Sequence, residues 1–240
     1  MRAIILAAGM GTRLQPLTHE IPKCLLKIGS KSILGHQLIA YDNEDIQEIV
    51  VVAGYKFDQV NAECEIYNER LSADISTIQN RDFQTTDNMY SLYIALENYS
   101  GPFVVSNGDV FCSDVIWSEA TSDPDTSIAF YDSSIFDEEA LQLKLNNGKP
   151  CSILPKGSED GHGSTIGIFT LNSRAGYLLY QELNRNIKFD EINSWFEISL
   201  SSVLTKAEFD AIDVRNEYWI EIDTVEDLAK ARRVNTKYID

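Results

Sequence analysis

Two glycines and two cations near the start of the chain have the residue types and spacing of a phosphate-binding turn. Gly9 and Gly11 follow an apolar run of strand length, residues 3–8. Glycine lets the backbone turn sharply and approach a ligand because it has no Cβ, and exposed N–H groups in such a turn attract anions. Arg13 can donate two parallel hydrogen bonds to phosphate oxygens, and Lys23 adds a mobile charge. The stretch therefore indicates a site for a nucleoside triphosphate.

Two common phosphate motifs are absent from this stretch. A Walker loop would end in Gly-Lys-Ser or Gly-Lys-Thr, and no such triplet occurs here. The dinucleotide-binding fingerprint needs a third glycine three residues after Gly11, where the chain has Leu14. An ordinary strand followed by a polar turn is the alternative interpretation, and the cations that follow the glycines argue against it.

Three carboxylates at predicted strand ends are candidate metal ligands. Asp109 follows a buried run, residues 103–106, although Asn-Gly-Asp is also a common turn. Over residues 219–223 the sequence alternates as a strand does, which places Glu221 and Asp223 on one face. Carboxylates that lie close together are unfavourable unless a cation separates them. The alternative is a half-exposed edge strand with solvated carboxylates.

Strands and helices alternate along the first half of the chain. Strands are predicted at residues 2–8, 48–53, 74–79 and 103–106, and helices at residues 32–45, 58–71 and 88–98. This alternation requires parallel pairing with right-handed crossovers. We therefore predict an α/β fold with a doubly wound, mostly parallel mixed sheet of Rossmann-like type, whose ligands bind beyond the carboxyl ends of the strands.

The middle of the chain changes to short strands, which predict a small β-rich part facing the substrate. Four short runs of strand type lie in residues 127–170, with a hairpin turn at Asn146-Asn147-Gly148 and a long loop at residues 157–164. Helices are predicted near residues 173–184 and 197–206.

The end of the chain returns to a strand and a helix. Thr224 is predicted to cap this final helix, with Asp227 completing an imperfect capping box. We predict one domain, residues 1–240. Its parts are a nucleotide-binding half at about 1–112, a substrate-facing part at 113–217, and the metal-carboxylate strand with the C-terminal helix at 218–240.

Charge and composition argue against several classes of function. The chain has 240 residues and a net charge of −17, yet residues 1–31 contain five cations and one carboxylate. An acidic body disfavours nucleic acid and anionic membranes as partners, while the basic start tolerates a polyphosphate. There is no apolar stretch of the ~20 residues that span a bilayer, no signal-peptide pattern, and no paired spacing among the four cysteines. We expect a cytoplasmic protein, for which a homodimer is one of the states that the sequence allows.

The order of these segments resembles a known enzyme family. The chain is similar to the sugar-phosphate and phosphocholine nucleotidyltransferases in two runs, L-A-A-G-M-G-T-R-L-Q-P-L-T and P-K-C-L-L-K-I-G-S-K-S-I-L. The match continues in D-N-M-Y-S-L-Y at 87–93, N-G-D at 107–109 and W-I-E-I-D-T at 219–224. These segments look most like the phosphocholine and related small-substrate cytidylyltransferases. The resemblance covers most of the chain and is weak between about residues 113 and 217. Cys24 departs from the proline or alanine of many sugar enzymes, in a position whose side chain the chemistry does not need.

The resemblance implies a reaction and a role for each group. The phosphate of a small substrate would attack the α-phosphorus of a nucleoside triphosphate and release pyrophosphate, with Mg²⁺ as the cofactor. Arg13 would hold the β- and γ-phosphates, and Lys23 the α-phosphate and the incoming phosphate. Asp109 and Asp223, with Glu221, would hold the metal, a hard ion that prefers carboxylates. The implied nucleotide-binding residues are Leu6, Ala7, Ala8, Gly9, Gly11, Thr12, Gln79, Asn88 and Gly108.

The resemblance specifies the nucleotide and the acceptor less closely than it specifies the reaction. Gln79 and Asn88 are expected to read a pyrimidine, which favours CTP, or else to stabilise a loop as amides often do. Tyr90, Trp195, Glu197 and Trp219 are the predicted acceptor-binding residues. They belong to a cluster of aromatic residues and carboxylates that also includes Phe196, Tyr218, Glu191 and Glu217, and this combination suits an ammonium group.

We therefore expect an acceptor such as phosphocholine or another aminated phosphate or phosphonate. Two alternatives are a sugar-1-phosphate nucleotidyltransferase that uses dTTP, UTP, CTP or GTP, and a non-catalytic nucleotide sensor with the same fold. The sensor is disfavoured because both cations and the carboxylates are present.

Overall fold

The structure is a computed structural model that describes residues 1–135, 140–189 and 192–234. Its strands are β1 (Arg2–Ala7), β2 (Lys27–Ile28), β3 (Lys31–Ser32), β4 (Glu48–Ala53), β5 (Asp74–Gln79), β6 (Phe103–Asn107), β7 (Val110–Cys112), β8 (Ile128–Asp132), β9 (Gln142–Asn146), β10 (Lys149–Leu154), β11 (Ser164–Leu171), β12 (Asp210–Asp213) and β13 (Trp219–Glu221). Its α-helices are α1 (Ile33–Asn43), α2 (Phe57–Asn68), α3 (Asn88–Ala95), α4 (Asp114–Thr121), α5 (Ser173–Lys188), α6 (Phe196–Ser201) and α7 (Val225–Ala231).

A mixed sheet of nine strands runs through the described part of the chain. Its main path is β10-β9-β11-β6-β1-β4-β5, and β8 and β12 join it through β11. The nucleotide half is parallel: β1 pairs with β4 and β6, and β4 pairs with β5. β11 then runs antiparallel to β6. The predicted α/β fold is confirmed, since each parallel pair is joined by the helical crossover that such pairing requires.

Helices cover both faces of this sheet. On one face α1, α2 and α4 contribute side chains such as Leu38, Val60 and Trp117 to a core cluster that includes the odd-numbered residues of β1. On the other face α3, α5 and α6 pack through Leu92, Leu179 and Phe196, among others. Burial on both faces explains why β1 and β4 read as continuous apolar runs, and the arrangement is doubly wound as predicted.

The short strands of the middle region, β8 to β11, pair within the same sheet as the nucleotide half. β9 and β10 form a hairpin whose turn residues, Asn147 and Gly148, have φ angles of 49° and 78°. Two consecutive positive φ values are what a two-residue hairpin turn needs, and the predicted turn is present. β11 is buried along its whole length. One sheet therefore continues across the expected boundary near residue 112. The division of the chain into three parts stays a prediction.

Several element bounds differ from those predicted. The first three helices end two or three residues early, α5 extends to Lys188, and α6 stops at Ser201. α4 was not predicted at all. At the C-terminal end, Thr224 and Asp227 cap α7 reciprocally, so the capping box is complete. In the ranges described, no helix has both the length and the apolar character needed to cross a bilayer.

Candidate functional site

A cavity of about 370 Å³ opens at the carboxyl ends of β1 and β6. This is the edge at which parallel α/β sheets bind their ligands. The predicted site residues that line it are Leu6, Ala7, Ala8, Gly9, Gly11, Thr12, Arg13, Lys23, Asn88, Gly108, Asp109, Trp195, Glu197, Glu221 and Asp223. The fold therefore brings residues from the first, middle and last parts of the chain to one cavity.

The glycine turn has a backbone conformation that other residues would adopt only with strain. Gly11 has a φ angle of 59° and precedes a 3₁₀ turn, Thr12–Leu14. A Cβ at this position would lie 2.8 Å from Cβ of Lys23, and Thr18 Oγ1 donates a hydrogen bond to Gly11 O at 2.8 Å. The turn and the segment that carries Lys23 are therefore packed against each other, which is possible only with glycine here.

Two cations and two carboxylates form a connected cluster in the cavity. Lys23 Nζ lies 2.6 Å from Asp109 Oδ2 and 2.5 Å from Asp223 Oδ1. Arg13 Nη2 lies 2.7 Å from the second oxygen of Asp223. Burial by itself lowers the pKa of Lys23, but the charges of Asp109 and Asp223 outweigh it and hold that pKa above its ordinary value. Lys23 is thus a fixed cation between two carboxylates that come from distant parts of the chain.

The same carboxylates fit a divalent cation. Asp109 Oδ1 is buried and has no hydrogen-bond partner in the described residues, so one acceptor beside Lys23 stays unsatisfied. Among those residues, no group of three or more His, Cys, Asp or Glu side chains is arranged to hold a metal. Mg²⁺ is commonly bound by one or two carboxylates together with phosphate oxygens and water, and the pair Asp109 and Asp223 has the oxygen donors for that arrangement.

Glu221 lies in the same cavity but in a different environment. It is the last residue of β13. β13 pairs antiparallel with β7, and Glu221 lies opposite Val110, the residue after Asp109. Burial, followed by the charges of Asp109 and Asp223, raises the pKa of Glu221 to about 8. A carboxyl that is this close to two others gains little from ionising.

A buried glutamine supports the turn that carries Asp109. Gln37, on α1, is 1% exposed. Its Nε2 donates to Asn107 O at 2.9 Å and to Val110 O at 2.7 Å. These carbonyls flank Gly108 and Asp109, where Gly108 packs so closely on β1 that a Cβ would lie 2.9 Å from Ala7 Cβ. Gln37 therefore holds the β6–β7 turn in place without touching the cavity itself.

On the opposite side of the cavity, a buried carboxylate is held by two amides. Glu197 is 3% exposed. Asn88 Nδ2 donates to Glu197 Oε2 at 3.3 Å, and Asn107 Nδ2 donates to Oε1 at 3.5 Å. Burial raises the pKa of Glu197 to about 7, against the effect of these two hydrogen bonds. The site can therefore offer either a carboxylate or a carboxyl hydroxyl to a ligand near neutral pH.

Three predicted residues do not line the cavity. Gln79 is exposed at the end of β5, because strand alternation turns the next residue, Asn80, inward instead. Tyr90 lies two positions after Asn88 on α3, about 200° around the helix, and stacks on Tyr93. Trp219 lies two residues before Glu221, and its indole N–H donates to Asp132 Oδ2 at 2.8 Å. Glu191, which was expected near the acceptor, lies outside the described residues.

The structure also places unpredicted residues in the cavity wall. They are Asn80, Phe83, Thr86, Asp87, Ser91, Asn107, Lys156, Thr165 and Gly167, among others. Lys156 adds a third cation, with Nζ 4.7 Å from the ring centroid of Trp195. It follows β10 and comes directly before the predicted loop, residues 157–164, so no sequence signal singled it out.

Comparison with known proteins shows which family the chain is similar to. A family model described as nucleotidyl transferase matches residues 2–129. The chain is 25% identical over 235 residues, 98% of its length, to the bifunctional IPC transferase and DIPP synthase of Aquifex aeolicus, of which it covers 52%. It is 34% identical over 105 residues, 44% of its length, to the choline-phosphate cytidylyltransferase of Streptococcus pneumoniae, of which it covers 43%. The chain thus spans about half the length of the curated relatives it matches.

Among solved structures, the chain is similar to the CTP:phosphocholine cytidylyltransferase of Streptococcus pneumoniae. The TM-score is 0.79 at 21% identity, over 96% of this chain and 97% of that one. At this identity the likeness supports the fold alone. The family match covers more than half of the chain and includes the glycine turn, Lys23 and Asp109, and so this chain belongs to the nucleotidyl transferase family.

Proposed function

We propose that the protein transfers a nucleotidyl group from a nucleoside triphosphate, with CTP preferred, to the phosphate or phosphonate of a small acceptor, and releases pyrophosphate. The observation that carries this proposal is the cluster of Arg13 and Lys23 with Asp109 and Asp223, next to the glycine turn. In a chain of net charge −17, such a cluster is where a polyphosphate and an anionic acceptor can meet.

The reaction needs charge neutralisation more than it needs a base. An oxygen of the acceptor phosphate is already anionic, so it attacks the α-phosphorus without losing a proton, and the bond from the α-phosphorus to the bridging oxygen breaks. Arg13 would bind the β- and γ-phosphates, and Lys23 the α-phosphate and the acceptor phosphate. To do this, both cations exchange a carboxylate for phosphate oxygens in the cavity.

Mg²⁺ is part of this proposal. Asp109 and Asp223 would hold the ion, which supplies positive charge to the phosphate oxygens. The buried, unpartnered Asp109 Oδ1 supports this assignment. Glu221 would add a third carboxyl group beside Asp109 and Asp223 at the ion.

The preferences for CTP and for an aminated acceptor rest on a relative and on two residues of the cavity. The relative from Streptococcus pneumoniae is a choline-phosphate cytidylyltransferase, and the match to it argues for CTP and phosphocholine. In the cavity, the ring of Trp195 and the carboxylate of Glu197 suit an ammonium group.

A hexose 1-phosphate is the second candidate acceptor. Asn88 and Asn107 lie beside Glu197, and amides with a carboxylate suit hydroxyl groups. Tyr90 and Trp219, which were expected to surround an ammonium group, do not line the cavity. This second observation favours a sugar phosphate.

A pyrophosphate-release assay tests the proposal. The protein is incubated with Mg²⁺, each of the four nucleoside triphosphates, and phosphocholine, 2-aminoethylphosphonate or glucose 1-phosphate. We expect release with CTP and an aminated acceptor, and no release when EDTA replaces Mg²⁺. Release only with glucose 1-phosphate would favour the second candidate. A protein that binds nucleotide and releases no pyrophosphate under any of these conditions would contradict the proposed activity.

A further inference from the structure

The first residue of α3, Asn88, lies where the nucleotide half meets the segment that leads into α6. The backbone on each side of it is tied to that segment. Asp87 N–H donates to Ile192 O at 3.3 Å, and Met89 N–H donates to Ser194 O at 3.3 Å. Two parts of the chain that are more than 100 residues apart therefore run side by side at the cavity.

Both polar atoms of the Asn88 side chain are engaged in this contact. Phe196 N–H donates to Asn88 Oδ1 at 2.8 Å, so the amide satisfies the first backbone donor of α6. Nδ2 donates to Glu197 Oε2 at 3.3 Å and lies 3.4 Å from Asn107 Oδ1. An amide holds its acceptor and its donors in a fixed relation, so one side chain orients both the start of α6 and the carboxylate beside it.

We propose that Asn88 is a positioning residue of the acceptor site, which acts on the acceptor through Glu197 and does not read the base of the nucleotide. This rests on the proposed function, in which Glu197 binds the acceptor. The Glu197 side chain is buried, so no bulk water replaces a lost donor. The orientation of its carboxylate then depends on Asn88 and Asn107.

The test is the substitution Asn88→Asp. It keeps an acceptor for Phe196 N–H, removes the donor to Glu197, and places a second carboxylate beside the first. We expect the KM for the acceptor to rise by about 10- to 100-fold, which is the range for a buried charged group that loses its partner. The dissociation constant for CTP, measured by calorimetry without acceptor, is expected to stay unchanged.

A double-mutant cycle separates this role from a purely structural one. In the Glu197→Gln background, Asn88→Asp should add little to the acceptor KM, because the group through which it acts is already altered. The matched control is Asn61→Asp on α2, where the amide also donates to a glutamate, Glu65, at 2.8 Å but outside the cavity. This control should leave both constants unchanged.

Two results would overturn the proposal: a weaker affinity for CTP in Asn88→Asp, or an effect on the acceptor KM that is fully retained in the Glu197→Gln background. If Asn88→Asp does not fold, Asn88→Ser removes the same donor without adding charge and takes its place in the cycle. If the wild-type protein turns over no acceptor, the proposed function fails. Crystal structures then still decide the positioning role, since a Glu197 carboxylate that keeps its place in the variant contradicts it.

Discussion

Lys23 has two sets of partners that it cannot satisfy at the same time. Its ammonium group lies between Asp109 and Asp223, at 2.6 and 2.5 Å. In the proposed reaction the same ammonium binds phosphate, and the two carboxylates hold Mg²⁺. The ion pairs keep the buried charges compensated when no ligand is bound, and ligand binding replaces each partner with another of the same sign.

Loss of either side of this pair should strongly reduce turnover while the protein stays folded. We expect Lys23→Ala and Asp109→Asn each to lower kcat by about 10²- to 10³-fold, because each removes one electrostatic group from the reacting phosphates. Initial rates of pyrophosphate release and far-UV circular dichroism are the measurements. Lys27→Ala, at an exposed lysine four residues further on, is the control. A Lys23→Ala variant with near-normal kcat would refute the assignment.

Lys23 should also compete with the metal. In Lys23→Met the carboxylates of Asp109 and Asp223 lose their internal counter-ion, so a divalent cation is the remaining way to separate their charges. We expect the variant to bind Mn²⁺ about tenfold more tightly than the wild type in the absence of nucleotide, a change of about 1.4 kcal/mol. Electron paramagnetic resonance of free Mn²⁺ measures this. Equal affinities would show that Lys23 does not occupy the metal position.

The site depends on how a few elements are held together. Asp109 lies in the turn between β6 and β7, and Asp223 follows β13, which is paired with β7. The loop from Lys23 to Leu25 is a 3₁₀ turn packed against Gly11. Since the ion pairs need spacings accurate to a fraction of an ångström, the supports of these turns matter as much as the charged groups.

Gln37 is the support that can be tested most directly. Gln37→Leu removes two hydrogen bonds to the β6–β7 turn, one buried and one partly buried, and each carbonyl left unpaired costs about 1–3 kcal/mol. We expect a lower melting temperature and a kcat reduced by about tenfold or more, because Asp109 moves with the turn. Gln47→Leu, at an exposed glutamine that donates to Asp45 O at 3.2 Å, serves as the control. A kcat unchanged by Gln37→Leu would show that the turn holds its shape without this clamp.

At the scale of the whole molecule, the cavity belongs to no single part of the chain. Its wall combines the glycine turn, the start of α3, the β6–β7 turn, the loop that carries Lys156, the start of α6 and the end of β13. The parallel and antiparallel sides of the sheet meet at β6 and β11, next to this wall. The cavity is therefore complete only when elements from both sides of the sheet are folded together.

The stability of the whole protein should depend on pH through Glu197. Burial raises its pKa from 4.5 to about 7 in the folded protein, so the unfolded chain releases this proton first as the pH rises. Stability is then lost progressively between pH 4.5 and 7. Glu197→Gln removes this loss, and we expect it to gain up to about 3 kcal/mol of unfolding free energy over the wild type above pH 7, with no such gain near pH 4. Urea denaturation across this range is the measurement, and a difference that does not grow with pH contradicts the assignment.

Local patterns were sufficient for the parallel half of the fold and for the phosphate turn. Strands such as residues 48–53, and the helices between successive strands, can be recognised from the spacing of apolar residues over a few positions. The glycine turn and the carboxylate of Asp109 could be predicted because ligand-binding residues of α/β sheets follow the carboxyl ends of buried strands. α4 was missed because it lies in a region whose apolar pattern is short.

By itself the sequence determined the residue types, the strand ends and the family resemblance, since these follow from local chemistry and spacing. Only the tertiary structure decided which side chains face the cavity. Gln79 is exposed and Trp219 donates to Asp132. Gln37 supports the β6–β7 turn, and Lys156 enters the cavity wall beside Trp195, through contacts with residues tens of positions away. One partner of Asn88, Glu197, is likewise 109 residues along the chain. Such pairings are fixed by packing of the whole sheet, which no local pattern encodes.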